Sequence, residues 1–205
     1  MSELTIHQRI HNALGSQKVE EYKARHAYLH GIGYSREEYG VFWLRSPNTT
    51  WGHEFGRMVG FDEMTYGHGA YYDRSIARRI NRNLAAIPDQ YSYQDPRSTF
   101  RSATHVLSSG VIEVAEDGLS ARCSYLTPGT MTGAIGGDGK HREGGWLFER
   151  YGSDFVFYED QWWWFHEQVC PDMGGSYDSG NWAHSRYERF ERGETGSGPP
   201  RSKRS

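Results

Sequence analysis

The chain has 205 residues and a formal net charge of -3, a length that fits a single domain with its own hydrophobic core. The lack of a basic excess argues against a duplex nucleic-acid partner, and no apolar run approaches the roughly 20 residues of a membrane span. The polar N-terminus lacks the apolar stretch of a signal peptide, and two cysteines are too few for a disulfide framework. We therefore expect a cytoplasmic protein that binds neither nucleic acid nor membranes.

The N-terminal half of the chain predicts helices. Apolar residues recur with partial helical spacing over residues 4–31, and the Gly15-Ser16 pair is a candidate break in this helix. Ser35 followed by Glu38 three residues later has the spacing of a capping box, which predicts the start of a second helix. Residues 60–86 predict a third helical region.

The C-terminal half changes to the alternation that is typical of strands. Residues 104–114 and 119–127 predict one hairpin, and residues 146–158 and 161–169 predict a second. The glycine-rich segment 133–145 between the two hairpins predicts a flexible loop, which could close over a site as a lid.

Helices followed by long antiparallel strands predict the α+β class. Residues 1–190 are expected to form one domain. Residues 191–205 are dominated by Glu, Gly, Ser, Pro, Arg and Lys, a composition too polar to bury a core, and are predicted to be disordered.

Three histidines stand out as candidates for metal or proton chemistry. His26 and His30 are four residues apart on the first predicted helix, a spacing that can present two metal ligands on one face. No carboxylate or cysteine cluster accompanies them in the sequence, so we expect no metal and keep both as candidates to line a pocket. His105 begins a strand, where an imidazole projecting from the sheet suits general acid–base catalysis near neutral pH.

The strand after residue 160 is unusually aromatic. Strict alternation puts Trp162, Trp164 and His166 on one face, and Trp163 and Phe165 on the other. A monomer that exposed either face would carry a large apolar patch. We therefore expect both faces to be covered, one of them by a second copy of the chain in a homo-oligomer, a dimer or trimer.

Several short segments of the strand-rich half carry a resemblance to a known superfamily. They are Ala103-Thr104-His105, Gly110-Val111-Ile112-Glu113-Val114, Glu116-Asp117-Gly118, Arg150-Tyr151, Phe155-Val156, Glu159-Asp160 and Trp162 to His166. Their order and spacing behind three helices resemble the nuclear-transport-factor-2-like superfamily and its SnoaL-like branch, over about residues 4–170. The resemblance implies a cone-shaped, curved antiparallel sheet packed on about three N-terminal helices and enclosing one pocket.

Within this branch, residues 26–38 and 48–51 are similar to the sphingomonad diarylpropane lyases. Those enzymes remove the terminal hydroxymethyl group of lignin-derived diarylpropane diols as formaldehyde, without a cofactor, and leave a stilbene. The resemblance thus implies a small aromatic substrate and no cofactor. Two alternatives stay open: a dehydratase, isomerase or cyclase on another aromatic or polyketide substrate, and a non-catalytic binding module of the same fold.

The resemblance and the required chemistry together nominate the site residues. His105 falls where the dehydratase branch has a histidine that takes part in proton transfer, whereas the acid that this branch carries on its first helices has no clear match here. The candidate catalytic residues are His105 as acid–base, Tyr34 or His53 in support, and Asn48 or Arg97 as the donor that stabilises a phenolate. The candidate substrate-binding residues are His26, His30, Trp51, Tyr125, Trp146, Trp164 and His166.

Overall fold

The structure is a computed structural model, which describes residues 4–32, 34–53, 56–71, 103–135 and 141–176. The helices are α1 (Ile6–Ile32), α2 (Arg36–Tyr39) and α3 (Phe61–Met64), and a π-helix (Thr65–Tyr71) follows α3 directly. The strands are β1 (Thr50–His53), β2 (Gly56–Val59), β3 (Ala103–His105), β4 (Ser108–Val114), β5 (Ser120–Ile135), β6 (His141–Tyr158) and β7 (Gln161–Ser176).

Helix α1 is a single helix, so the break considered at Gly15-Ser16 does not occur. A Cβ atom at position 15 would lie 2.7 Å from the indole ring of Trp162. Glycine here therefore allows a close approach of the helix to the sheet, and tertiary packing offsets its poor helix propensity. None of the described helices is long and apolar enough to cross a membrane.

The capping box predicted at Ser35 is wrong. The helix α2 does begin at Arg36, but Ser35 has helical backbone angles and makes no side-chain capping hydrogen bond. Glu38 cannot complete the box, because its carboxylate is directed to His26 instead. The third predicted helix, residues 60–86, is confirmed as helical over residues 61–71, and its remainder lies outside the described residues.

Seven strands form one sheet in the order β2-β1-β7-β6-β5-β3, with β4 also paired to β5. Strand β1 runs parallel to β7, and every other pairing is antiparallel. The predicted strand 104–114 is interrupted at Val106 and Leu107, and its two parts pair with successive stretches of β5. The predicted turns at 116–118 and 159–160 are confirmed; Glu159 and Asp160 both have positive φ, as a two-residue type I′ hairpin requires.

The long loop predicted over residues 133–145 is wrong at both of its ends. Strands β5 and β6 continue their pairing as far as Ile135 opposite His141, so most of this segment belongs to the sheet. Glycines favour a loop in the sequence pattern, whereas the ladder of β5 and β6 satisfies the backbone groups of Gly133, Gly144 and Gly145 within strands. Residues 136–140, the predicted tail 191–205 and the end of the predicted domain lie outside the described residues.

A β-bulge interrupts the pairing of β6 with β7. Asp154 pairs with His166 and Phe155 pairs with Trp164, which leaves Phe165 as the extra residue. Because one extra residue reverses the alternation, Glu167 takes the buried side that His166 was predicted to occupy. The prediction that His166 shares a face with Trp162 and Trp164 is therefore wrong.

The predicted α+β class is confirmed, since α1 packs across one face of the curved sheet. The core between them is aromatic, with fully or almost fully buried residues that include Val19, Tyr22, Trp43, Phe155 and Trp164. On the outer face of the sheet the exposed apolar side chains are Val111, Leu126 and Trp146. The homo-oligomer that would cover such a face stays a prediction.

Candidate active site

Five histidines from four separate elements converge inside the fold, and we call them the histidine cluster. Their side chains are at most 7% exposed. The cluster consists of His26 and His30 of α1, His53 of β1, His68 of the π-helix and His105 of β3.

Helical spacing explains the contribution of α1. The buried residues Val19, Tyr22, Lys23, His26 and His30 recur every three or four positions, so they share the face that packs on the sheet. The two histidines thus continue an otherwise core-forming stripe, and their rings stack with centroids 5.1 Å apart.

The π-helix brings His68 into the same space. Its neighbours Gly67 and Gly69 allow close packing, because a Cβ at Gly67 would lie 2.3 Å from the Met58 sulfur. His68 accepts or donates a hydrogen bond of 2.5 Å with the Tyr39 hydroxyl, and its ring lies 4.4 Å from that of Trp51. A π-helical turn is uncommon in proteins and recurs at functional sites, which agrees with this placement.

Glu149 of β6 organises one side of the cluster. Its Oε2 lies 3.3 Å from His105 Nδ1, within ion-pair range but without hydrogen-bond geometry. Its Oε1 lies 3.8 Å from His53 Nε2, and the Tyr151 hydroxyl donates a hydrogen bond of 3.1 Å to Oε2. We call His105 and Glu149 the sheet dyad; it joins an imidazole to a carboxylate that Tyr151 holds in place.

Glu38 of α2 forms a second pair on the helical side. Its Oε2 lies 2.9 Å from His26 Nδ1, and both side chains are almost completely buried. We call His26 and Glu38 the helix dyad.

His30 lies between the two dyads. Its ring centroid is 5.1 Å from that of His26 and 5.4 Å from that of His105, and it stacks on His68 at 5.3 Å. Burial lowers the pKa of His30 well below its usual value, and the positive charge that neighbouring histidines can carry lowers it further. The pKa of His68 is also well below its usual value, through burial first and then through His26 and His53. Both rings are therefore neutral near pH 7.

Acidification is expected to destabilise the fold through these two neutral histidines. In the unfolded chain a histidine binds its proton near pH 6.5, whereas buried His30 and His68 resist protonation to lower pH. The unfolded state thus binds more protons below pH 6.5. Each unit by which the pH is lowered therefore decreases the free energy of unfolding, by up to about 2.7 kcal/mol for two such groups. Urea unfolding at pH 7.5, 6.5 and 5.5 measures this slope.

The His68→Gln variant isolates the contribution of one ring. It is expected to show a shallower slope than the wild type below pH 6.5, while His7→Gln, a change at an exposed position of α1, keeps the wild-type slope. An unchanged slope in His68→Gln would contradict a neutral, buried His68.

The sequence-predicted site residues divide into those that the fold brings together and those that it does not. His26, His30, His53, His105 and Trp51 converge in the cluster, and Trp164 packs against His26 with ring centroids 5.2 Å apart. Tyr125 is buried in the sheet beside Gly110, and burial raises its pKa to about 12.

The other predicted residues lie away from the cluster or beyond the described chain. Asn48 is exposed in the turn before β1, and Trp146 is 38% exposed on the outer face. His166 contacts the Thr50 hydroxyl at 2.8 Å on the side of β7 opposite Glu167. Tyr34 is half-buried and lies beside the Arg36 guanidinium, whereas Arg97 lies outside the described residues.

Local sequence patterns do not identify four residues of the site, which are His68, Glu38, Glu149 and Tyr151. His68 lies within the third predicted helical region, and Glu38 has the spacing of a helix cap. Glu149 and Tyr151 alternate inward between Leu147 and Ser153, so an acid at an inward strand position was a signal that could have found them.

Among the residues that the structure describes, no group of three His, Cys, Asp or Glu side chains is arranged to hold a metal ion. A surface groove of about 550 Å³ lies between α1 and α2, lined by residues such as Tyr28 and Val41, and shares no lining residue with the histidine cluster.

By sequence, the chain matches no protein-family model and no curated protein. Solved structures, in contrast, share its fold. A candidate scytalone dehydratase from Novosphingobium aromaticivorans DSM 12444 is 17% identical with a TM-score of 0.53, over 82% of this chain and 91% of that one. A nuclear-transport-factor-2-like protein from Salmonella enterica serovar Typhimurium is 14% identical with a TM-score of 0.52, over 78% and 92%. The protein LinA is 7% identical with a TM-score of 0.56, over 82% and 93%.

These likenesses establish the class of fold. The chain has the nuclear-transport-factor-2-like fold, in which a long helix and a curved sheet face each other, as the resemblance implied. At 7–17% identity the likeness extends to the fold alone, so the narrower resemblance to diarylpropane lyases stays a prediction.

Proposed function

We propose that this chain is a cofactor-independent lyase that acts on a lignin-derived diarylpropane diol, releases formaldehyde and leaves a stilbene. The observation that carries the proposal is the sheet dyad, an imidazole paired with a buried carboxylate that a tyrosine hydroxyl orients. Buried acid–base pairs of this kind are costly for stability and are concentrated at functional sites.

The substrate supplies its own electron sink. The phenol para to the benzylic carbon first loses its proton to solvent and reacts as the phenolate. The phenolate pushes electrons through the ring as the benzylic C–O bond breaks, and the leaving oxygen takes a proton from the general acid, which gives a quinone methide and water. The terminal hydroxyl then loses its proton, and the bond between its carbon and the chain breaks to give formaldehyde. The electrons of that bond form the alkene and restore the phenolate, so the products are stilbene, water and formaldehyde.

Residues of the cluster and the sheet dyad match the acid, the counter-charge and the hydrogen-bond donor that these reaction steps need. In this proposal His105 protonates the departing benzylic oxygen; its 3.3 Å contact with Glu149, which provides the counter-charge for an imidazolium, supports this role. Trp51 has a buried indole N–H that finds no acceptor among the described residues, which suits a donor to the phenolate. The aromatic rings around the cluster suit a substrate with two aryl groups.

A dehydratase is the second candidate. One structure that shares the fold is a candidate scytalone dehydratase, and the sheet dyad would serve water loss as well as it serves the first step above. The two reactions differ in their products, because a dehydratase leaves the terminal carbon in place.

Formaldehyde release distinguishes the two candidates. The purified protein is incubated with an erythro 1,2-diaryl-1,3-propanediol that carries a para-hydroxyl on the ring beside the benzylic alcohol, and formaldehyde and stilbene are measured. We expect equal amounts of both, and no reaction with the para-methoxy analogue, which cannot form a phenolate. Water loss without formaldehyde would replace the lyase by the dehydratase, and an unchanged diol would refute the lyase and any dehydratase that acts on this diol.

A further inference from the structure

We infer that the helix dyad of His26 and Glu38 is a second proton-transfer unit, which takes the proton from the terminal hydroxyl of the substrate. This inference rests on the proposed function and divides its two steps between two pairs of residues. His105 serves the loss of the benzylic hydroxyl, and the helix dyad serves the release of formaldehyde.

The first observation is an unsatisfied oxygen. Glu38 Oε2 is bonded to His26, whereas the buried Oε1 finds no hydrogen-bond partner within the parts of the chain that the structure describes. An unsatisfied acceptor in a buried carboxylate costs free energy, and a native protein tolerates it where a ligand or water completes the bond. A substrate hydroxyl would donate to this oxygen and lose its proton to the dyad.

The second observation is the position of the helix dyad relative to the sheet dyad. The ring of His30 stacks on His26 and contacts His105 edge to face, so a single imidazole separates the two units. The Tyr151 ring lies 6.1 Å from His26 and 6.4 Å from His105, so both units rest on the same aromatic side chain. Two acid–base units that contact the same tyrosine ring match a substrate with two hydroxyl groups, one for each unit.

The third observation concerns charge. His30, between the dyads, is neutral near pH 7, because its burial opposes protonation. It therefore neither repels a cation at His105 nor accepts the substrate proton in place of Glu38. The arrangement allows one dyad to start as an acid while the other starts as a base, which is what a reaction with one protonation and one deprotonation requires.

The step assigned to the helix dyad is a deprotonation that drives cleavage of a C–C bond. The proton of the terminal hydroxyl passes to the dyad, and the O–H electrons become the second bond of the formaldehyde carbonyl. The C–C bond breaks toward the quinone methide, whose ring becomes a phenolate. Transfer of the proton out of the dyad, and of one proton to His105, resets both units for the next substrate.

Two assays separate the steps. The first measures formaldehyde from the diol. The second uses an analogue in which methyl replaces the hydroxymethyl group, in water labelled with oxygen-18, and records loss or exchange of the benzylic oxygen by mass spectrometry. The analogue can form the quinone methide but cannot release formaldehyde, so it reports the first step alone.

The Glu38→Gln variant is expected to lower formaldehyde release about 10²- to 10³-fold. Its reaction with the methyl analogue is expected to stay within about threefold of the wild type, whereas His105→Gln loses both reactions. Glu37→Gln, at the exposed neighbouring position of α2, is the matched control and is expected to retain both activities. Near-ultraviolet circular dichroism and the Tm establish that each variant is folded.

If Glu38→Gln fails to fold, His26→Gln is the second test and is expected to give the same split between the two assays. A folded Glu38→Gln or His26→Gln that releases formaldehyde at the wild-type rate overturns the inference and leaves the proposed function intact. Loss of both reactions in a folded Glu38→Gln would also overturn the division of steps. A wild-type protein inactive in both assays defeats the proposed function itself.

Discussion

Replacing His105 with glutamine is expected to lower kcat by about 10²- to 10⁴-fold, the usual contribution of a positioned general acid. The Nδ1 atom of His105 lies 3.3 Å from a carboxylate oxygen of Glu149, and the side chain is only 6% exposed. Glutamine keeps a polar side chain of similar length but cannot carry a proton to the leaving oxygen. Steady-state kinetics on the diol, followed by formaldehyde, measure kcat and KM separately.

A matched pair of variants tests whether the effect is chemical. His105→Ala is expected to lose as much kcat as His105→Gln, and His7→Gln on the exposed part of α1 is expected to leave kcat unchanged. Glu149→Gln removes the counter-charge and is expected to lower kcat by a smaller factor than loss of His105. A folded His105→Ala that turns over near the wild-type rate would show that another group is the acid.

Removing one partner of the buried ion pair between Lys23 and Glu167 is expected to lower the free energy of unfolding by about 3–5 kcal/mol. Lys23 Nζ lies 2.9 Å from Glu167 Oε1, and both side chains are completely buried. Lys23 also contacts Ser153 at 3.2 Å and lies 4.5 Å from the ring centroids of Tyr151 and Trp164. Glu167→Gln leaves the ammonium buried without its counter-charge, so the loss exceeds the value of the contact itself.

Urea unfolding of three variants measures this effect. The exposed pair of Lys18 and Glu21 supplies the control, since Lys18→Met is expected to cost at most about 1 kcal/mol. The double variant Lys23→Met with Glu167→Leu is expected to recover most of the lost stability, because it removes both buried charges together. A loss below 1 kcal/mol in Glu167→Gln would mean that the ammonium finds another partner.

Local patterns were enough to predict the class of the fold and part of the site. Alternating hydrophobicity gave the long strands, and the i, i+4 spacing placed His26 and His30 together on the inner face of α1. The position of His105 at the start of a strand was also readable from the sequence. These features depend on periods of two and 3.6 residues, which a single segment contains.

The remaining site residues depend on contacts between distant segments. Glu38 has the spacing of a cap, but its carboxylate bonds His26 twelve residues away in sequence. His68 reaches the cluster through a π-helical turn, and the spacing of apolar residues in the sequence does not predict such a turn. Residues 133–135 and 141–145 of the glycine-rich segment are strand because β5 and β6 pair with each other, and the pattern of a single segment does not show which strand will pair with it.

The bulge at Phe165 lets one strand serve two purposes that a regular strand cannot combine. Before it, Trp162 and Trp164 point inward and form aromatic packing; after it, Glu167 points inward and meets Lys23. A regular period of two would have put Gln168, not Glu167, in phase with the tryptophans. A one-residue shift of phase thus brings a buried carboxylate to the same face of β7 as the buried tryptophans. The number of residues in β7, as much as its composition, therefore determines which side chains line the interior.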